Sequence, residues 1–205
     1  MRCSAAILVL AALAFGTWGA AEGPTFSICY PHYKYLRAVD SLSAVDFHNF
    51  NLILFDDDGR RMLLAKLQDG TFEHKYKVGG DWVKVASIQY WSPEKTGPPK
   101  ALLRADYVET GASSSDFGLV QVFELTEGHP VVLQQILFNT RGEGADSAFD
   151  SKKGVLKIRG VHGWEHCCPT TLDVGTFKWN GSGFALTESK SIPMPSAQPP
   201  GVKPR

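Results

Sequence analysis

The 205-residue sequence predicts a mainly β protein: an antiparallel meander forming a barrel or sandwich, with at most one or two short helices. Three observations carry this expectation. Short runs rich in Val, Ile, Leu, Phe and Tyr recur at about 8–12-residue spacing, with turn residues between them. Two of those turns, Asp58-Gly59 and Asn180-Gly181, are dipeptides that favour the positive φ of tight hairpins. No strand–helix–strand alternation is visible, which argues against a parallel nucleotide-binding sheet.

The elements follow in order. Residues 26–30 form a short apolar segment, and 36–45 have mixed periodicity with room for one short helix. The apolar run 50–55 stops at Asp56-Asp57-Asp58-Gly59 and resumes at 61–67, as a hairpin does. Asp69-Gly70 and Gly79-Gly80 bound 71–78, where Phe72, His74, Tyr76 and Val78 share one face. Residues 82–91 are aromatic and β-branched, the prolines of 93–99 break the run, and 101–108 resume it. A Gly/Ser-rich loop is expected over 111–116. The apolar runs 119–125 and 131–138 flank 126–130, read as a five-residue hairpin connection. Residues 141–153 read as the longest irregular segment. In 155–161, Lys157 and Arg159 alternate with Leu156 and Ile158, and 171–179 and 184–188 flank Asn180-Gly181.

The first 21 residues read as a signal peptide. Met1-Arg2 is a short basic start, 5–15 an apolar core, and Gly19-Ala20-Ala21 a small-residue cleavage site. That core is shorter than the ~20 residues a spanning helix needs. The expectation is export to the periplasm or beyond, with no membrane span after cleavage. Residues 22–190 then form a single β-rich domain, and 191–205 a disordered Pro-rich tail. The chain balances 21 Lys and Arg against 21 Asp and Glu, without a basic block, so nucleic acid is not expected as a partner.

Cysteine usage follows from export. Cys29, Cys167 and Cys168 stay in the mature chain, and an oxidising compartment favours staples. A link from Cys29 to Cys167 or Cys168 would close most of the domain, worth ~4–5 kcal/mol in the chain-entropy model. A vicinal Cys167–Cys168 ring is the rival, and spacing does not choose between them.

Val45-Asp46-Phe47, Phe50, Ile88-Gln89-Tyr90, Cys167-Cys168-Pro169 and Trp179-Asn180-Gly181 together resemble exported bacterial domains of the LppP/LprE lipoprotein family. The Cys-Cys-Pro and Trp-Asn-Gly end is the specific part. The resemblance implies an exported β domain and brings no activity with it. Cys3 lies before the apolar core, so the family's lipid anchor is not carried over.

His162-Gly163-Trp164-Glu165-His166 matches H-x-x-E-H, in which two histidines hold zinc and a glutamate activates water. The motif needs a helix, and Gly160, Gly163 and Pro169 disfavour one. His162 and His166 with a thiolate would make a structural zinc site, and Cys168 beside His166 has the residue types of a thiol nucleophile. Asp56-Asp57-Asp58-Gly59 lacks the calcium-loop spacing, with Ala65 at the distal glutamate position. Trp91 and Trp164 adjoin loops and are the expected exposed aromatic pair. The sequence therefore points to a binding or interaction domain for a protein or small ligand, using no cofactor and with no catalytic residue assigned. Its loops 111–116 and 141–153 would make the contacts. The alternative is a zinc-dependent hydrolase built on His162, Glu165 and His166.

Overall fold

The computed structural model describes residues 25–94, 97–110, 115–141, 144–162 and 171–194. They form thirteen strands: β1 (Phe26–Cys29), β2 (Tyr33–Lys34), β3 (Asn51–Phe55), β4 (Arg61–Lys66), β5 (Thr71–Lys75), β6 (Gly80–Trp91), β7 (Lys100–Thr110), β8 (Ser115–Thr126), β9 (His129–Asn139), β10 (Asp146–Asp150), β11 (Val155–Val161), β12 (Thr171–Trp179) and β13 (Phe184–Pro193). The helical content described is two 3-10 turns, Leu42–Ala44 and Phe47–Asn49. Asp46 caps the second by accepting from the backbone N–H groups of His48 and Asn49.

Every strand pairing is antiparallel. The central sheet runs β1-β9-β8-β7-β6-β5 with β2 also on β9, a second sheet runs β10-β11-β12-β13, and β3 pairs with β4 as a hairpin. The central sheet is open, with β1 and β5 at its edges, so the sandwich and not the barrel is the form taken.

The central sheet is covered on both faces. The β3–β4 hairpin and the 3-10 turns pack Leu52, Leu54, Phe55, Ala65, Leu42 and Phe47 against Val83, Leu103, Leu119, Phe123 and Val132. The four-stranded sheet packs Leu156, Ile158, Phe177 and Phe184 against Leu102, Val120, Val122, Ile136 and Phe138. This is why 131–138 reads as an almost continuous apolar run: Pro130 to Asn139 are buried without alternation. Each fully buried Leu or Phe contributes roughly 1.5–3 kcal/mol of transfer free energy.

The polar residues inside that run serve both faces. Gln135 Nε2 donates to Phe55 O at 2.7 Å, and its Oε1 accepts from Phe55 N at 3.1 Å. On the opposite face, Gln134 Nε2 donates to Phe184 O at 2.8 Å and its Oε1 accepts from Phe184 N at 2.7 Å. The flanking layers thus have backbone groups satisfied by glutamines of the middle one.

Glycines set how closely the layers approach. A Cβ on Gly118 would lie 2.1 Å from the Phe138 ring, its cross-strand partner, and one on Gly175 would lie 2.9 Å from Phe26.

Several expectations are corrected. The 126–130 connection is a two-residue turn, Glu127-Gly128, with φ of 51° and 76°, and Pro130 lies inside β9. The 180–183 connection spans four residues, because Trp179 pairs with Phe184 and Asn180 Oδ1 accepts from Ser182 N and Gly183 N. The segment 141–153 contains β10, whose Phe149 packs on the second core. β8 begins at Ser115, within the expected 111–116 loop. β13 runs on to Pro193, past the expected start of the tail.

Candidate functional site

A cavity of about 330 Å³ opens where the tip of the β3–β4 hairpin stands over the end of the central sheet. Sequence and register explain its composition. Asp56, Asp57 and Asp58 form the hairpin tip, where Gly59 takes φ 74°. Asp56 Oδ1 accepts from Asp58 N at 3.0 Å and Arg60 N at 2.8 Å, which fixes the turn. Asp57 accepts a hydrogen bond from the Ser27 hydroxyl, tying the tip to β1. Tyr107 and Glu109, two residues apart on β7, share one face and line the cavity with Phe117 of β8, Leu137 of β9 and Met62 of β4.

The floor is rigid. Tyr107 stacks on Phe117 with ring centroids 5.7 Å apart and planes at 16°. Its hydroxyl donates to Asp81 Oδ1 at 3.2 Å, and Tyr76 donates to the other carboxylate oxygen of Asp81. Asp81 is only 7% exposed and directly opposes Glu109 across the β6–β7 pair. Burial first, then the Asp81 and Glu109 carboxylates, push the Tyr107 hydroxyl far above the usual phenol range. It is therefore a neutral hydroxyl across the working pH range. Among the described residues, no lysine, arginine or histidine lines the cavity.

A second polar cluster lies at the end of the four-stranded sheet. His162 Nδ1 lies 2.7 Å from Asp173 Oδ2, and Asp173 also accepts from the hydroxyls of Thr25 and Ser191. Burial works to raise the Asp173 carboxyl, but the Ser191, Thr25 and His162 hydrogen bonds outweigh it and hold it below the usual carboxylate range. His162 N donates to Thr171 O at 3.1 Å, so β11 and β12 stay paired at this end. Asp173 thus fixes the orientation of the His162 ring through Nδ1.

The other sequence candidates fall differently. Trp164, Glu165, His166, Cys167 and Cys168 lie outside the described residues. Cys29 is buried at the end of β1, 1% exposed, in the core beneath the hairpin. Among the described residues, no three His, Cys, Asp or Glu side chains converge to hold a metal ion.

Trp91 is corrected from an exposed residue to a buried one, at 6%, whereas its neighbour Tyr90 is 45% exposed. The β6–β7 register slips between Val85 and Ser87, so the odd positions beyond Ala86 turn toward the four-stranded sheet. There Phe149, Trp179 and Phe184 surround the Trp91 ring at centroid distances of 4.9, 5.6 and 5.9 Å.

The cavity residues Ser27, Met62, Tyr107, Glu109, Phe117 and Leu137 escaped sequence reasoning, because they come from five strands. The three aspartates were the visible signal, set aside because they lack the calcium-loop spacing. Glu109 and Phe117 lie near the ends of β7 and β8, and residues 111–114 of the loop expected to make contacts lie outside the described residues. No family model, curated protein or solved structure matches this chain.

Proposed function

We propose that this protein is an exported, non-enzymatic binding module that takes its ligand in the cavity between the β3–β4 hairpin tip and the central sheet. The observation that carries this reading is the cavity itself: 330 Å³, lined by the apolar side chains of Met62, Phe117 and Leu137 together with polar groups of the hairpin tip and of β7. The hydroxyl of Tyr107 is held by a buried carboxylate, so the floor is preorganised. Export rests on the signal-like first 21 residues and on the resemblance to LppP/LprE domains. A disulfide drawn from Cys29, Cys167 and Cys168 would staple the exported form, and non-reducing peptide mapping distinguishes the long-range link from the vicinal ring. The test of the module is a thermal-shift screen of small apolar and amphipathic compounds against wild type and Met62→Trp, which fills the mouth of the cavity. Hits that survive Met62→Trp would contradict this location.

One observation favours a second reading, a zinc-dependent hydrolase: Asp173 holds His162, the first residue of the H-x-x-E-H motif, through Nδ1. Metal analysis of natively exported protein purified without chelators separates the two. Stoichiometric zinc lost in His162→Ala supports the hydrolase, and its absence rules this reading out.

A further inference from the structure

We propose that Asn180 is a site of spontaneous modification: its side-chain amide cyclises onto the N–H of Gly181 and becomes aspartate and isoaspartate, a change written into the β12–β13 hairpin. The chain has four asparagines; Asn49, Asn51 and Asn139 precede Phe50, Leu52 and Thr140, and Asn180 alone precedes a glycine. Gly181 is exposed at φ 99°, and a Cβ there would meet nothing within 4 Å, so no side chain shields its nitrogen. The other asparagines lack this setting. Asn49 Nδ2 is engaged, donating to Asp46 Oδ2 at 2.9 Å, and Asn139 is 7% exposed.

The turn itself sets up the reaction. Asn180 Oδ1 accepts from Ser182 N, Ser182 Oγ and Gly183 N, each at 3.0 Å. Among the described residues, no hydrogen bond engages the nucleophile, Gly181 N–H, or the leaving group, Asn180 Nδ2. Three donors converging on a carbonyl oxygen polarise its carbon and stabilise negative charge there, as an oxyanion hole does. Hydroxide from solvent takes the Gly181 N–H proton, and the nitrogen bonds to Asn180 Cγ. The displaced electron pair moves to Oδ1, among its three donors, then returns and breaks the Cγ–Nδ2 bond. Nδ2 leaves as ammonia with a proton from water. A second water opens the imide at Cγ to give aspartate, or at the main-chain carbonyl of residue 180 to give isoaspartate. Isoaspartate routes the main chain through the former side chain and lengthens the turn by a methylene. That disturbs the Asn180 N to Gly183 O bond at 3.0 Å and, one residue on, Phe184, whose backbone groups Gln134 holds.

The test incubates the full mature protein at neutral and mildly alkaline pH, both native and in urea, followed by peptide mass mapping and enzymatic methylation of isoaspartate. In the native protein the amide-to-acid mass change is expected at Asn180 and at none of the other asparagines, faster at the higher pH. Ser182→Ala removes one donor and keeps the backbone turn, with thermal unfolding confirming that it folds. It should slow the reaction severalfold in the native protein and leave the rate in urea unchanged. Amide protection at Phe184 should fall as isoaspartate accumulates. An Asn180 that stays intact in the native protein while it reacts in urea would overturn the proposal, because the turn would then shield the amide. A native Ser182→Ala rate equal to that of wild type would overturn the role given to the three donors.

Discussion

Gln135 holds both backbone groups of Phe55, donating to its carbonyl at 2.7 Å and accepting from its N–H at 3.1 Å. The hairpin is thereby pinned to the central sheet by a side chain that mimics a strand partner. Gln134 does the same for Phe184 on the opposite face. Replacing either by Leu keeps the volume and strands two buried backbone groups. Each change is expected to cost about 2–4 kcal/mol, measured by urea unfolding. Gln135→Leu should loosen amide exchange in β3, and Gln134→Leu in β13. Protection unchanged in those strands would show that apolar packing alone holds the layers.

Gly118 makes room for its cross-strand partner Phe138, whose ring would lie 2.1 Å from an added Cβ. Gly118→Ala should therefore destabilise by about 1–3 kcal/mol, although alanine is the better residue for chain entropy. Gly118→Ala with Phe138→Leu should recover part of the loss relative to the sum of the single changes. Simple additivity would mean the two residues do not couple.

Lys100 Nζ lies 2.6 Å from Glu124 Oε2, with the lysine side chain 8% exposed. Removing one partner leaves a charge in a largely buried row beside Trp91. Glu124→Gln is expected to cost about 3 kcal/mol, whereas Lys100→Met with Glu124→Leu should be close to neutral. Thermal unfolding of the three proteins checks the order. A Glu124→Gln variant as stable as wild type would count against a desolvated pair.

Asp173 is the carboxylate with the clearest effect on acid stability. Its folded-state pKa lies below the usual carboxylate value, so it binds its proton less readily than in the unfolded chain. Its contribution is complete above about pH 4, and it is lost as pH falls through the lower folded value. Stability should therefore drop as pH falls below the ordinary carboxylate value of about 4. Asp173→Asn should be less stable at pH 7 by about 1–3 kcal/mol, with a flatter acid limb that approaches wild type once Asp173 is protonated. Parallel limbs in the two proteins would assign the acid transition to other groups.

The β class, the hairpin at Asp58-Gly59 and most strand cores were legible because local pattern and turn chemistry agree there. Residues 131–138 read as an apolar run, but neither the burial of β9 on both faces nor the two clamps of Gln134 and Gln135 was read from it, because both depend on the layers packed above and below. Other features depend on partners far away in sequence. The slip at Ala86 exchanges the environments of Tyr90 and Trp91, and periodicity within β6 does not reveal it. β10 is a short edge strand, stabilised by the pairing of Phe149 with Leu156 and by its packing on Trp91. The cavity needs side chains from β1, β4, β7, β8 and β9 at one place, so only its aspartate tip showed in the sequence.

The most direct measurement is an amide chemical-shift map during titration with the strongest hit of the thermal-shift screen. The account predicts that the largest changes cluster at Ser27, Asp57, Met62, Glu109, Phe117 and Leu137, and that Met62→Trp removes them. Changes centred on His162 and Asp173, with the hairpin tip unmoved, would contradict it and place function at the end of the four-stranded sheet.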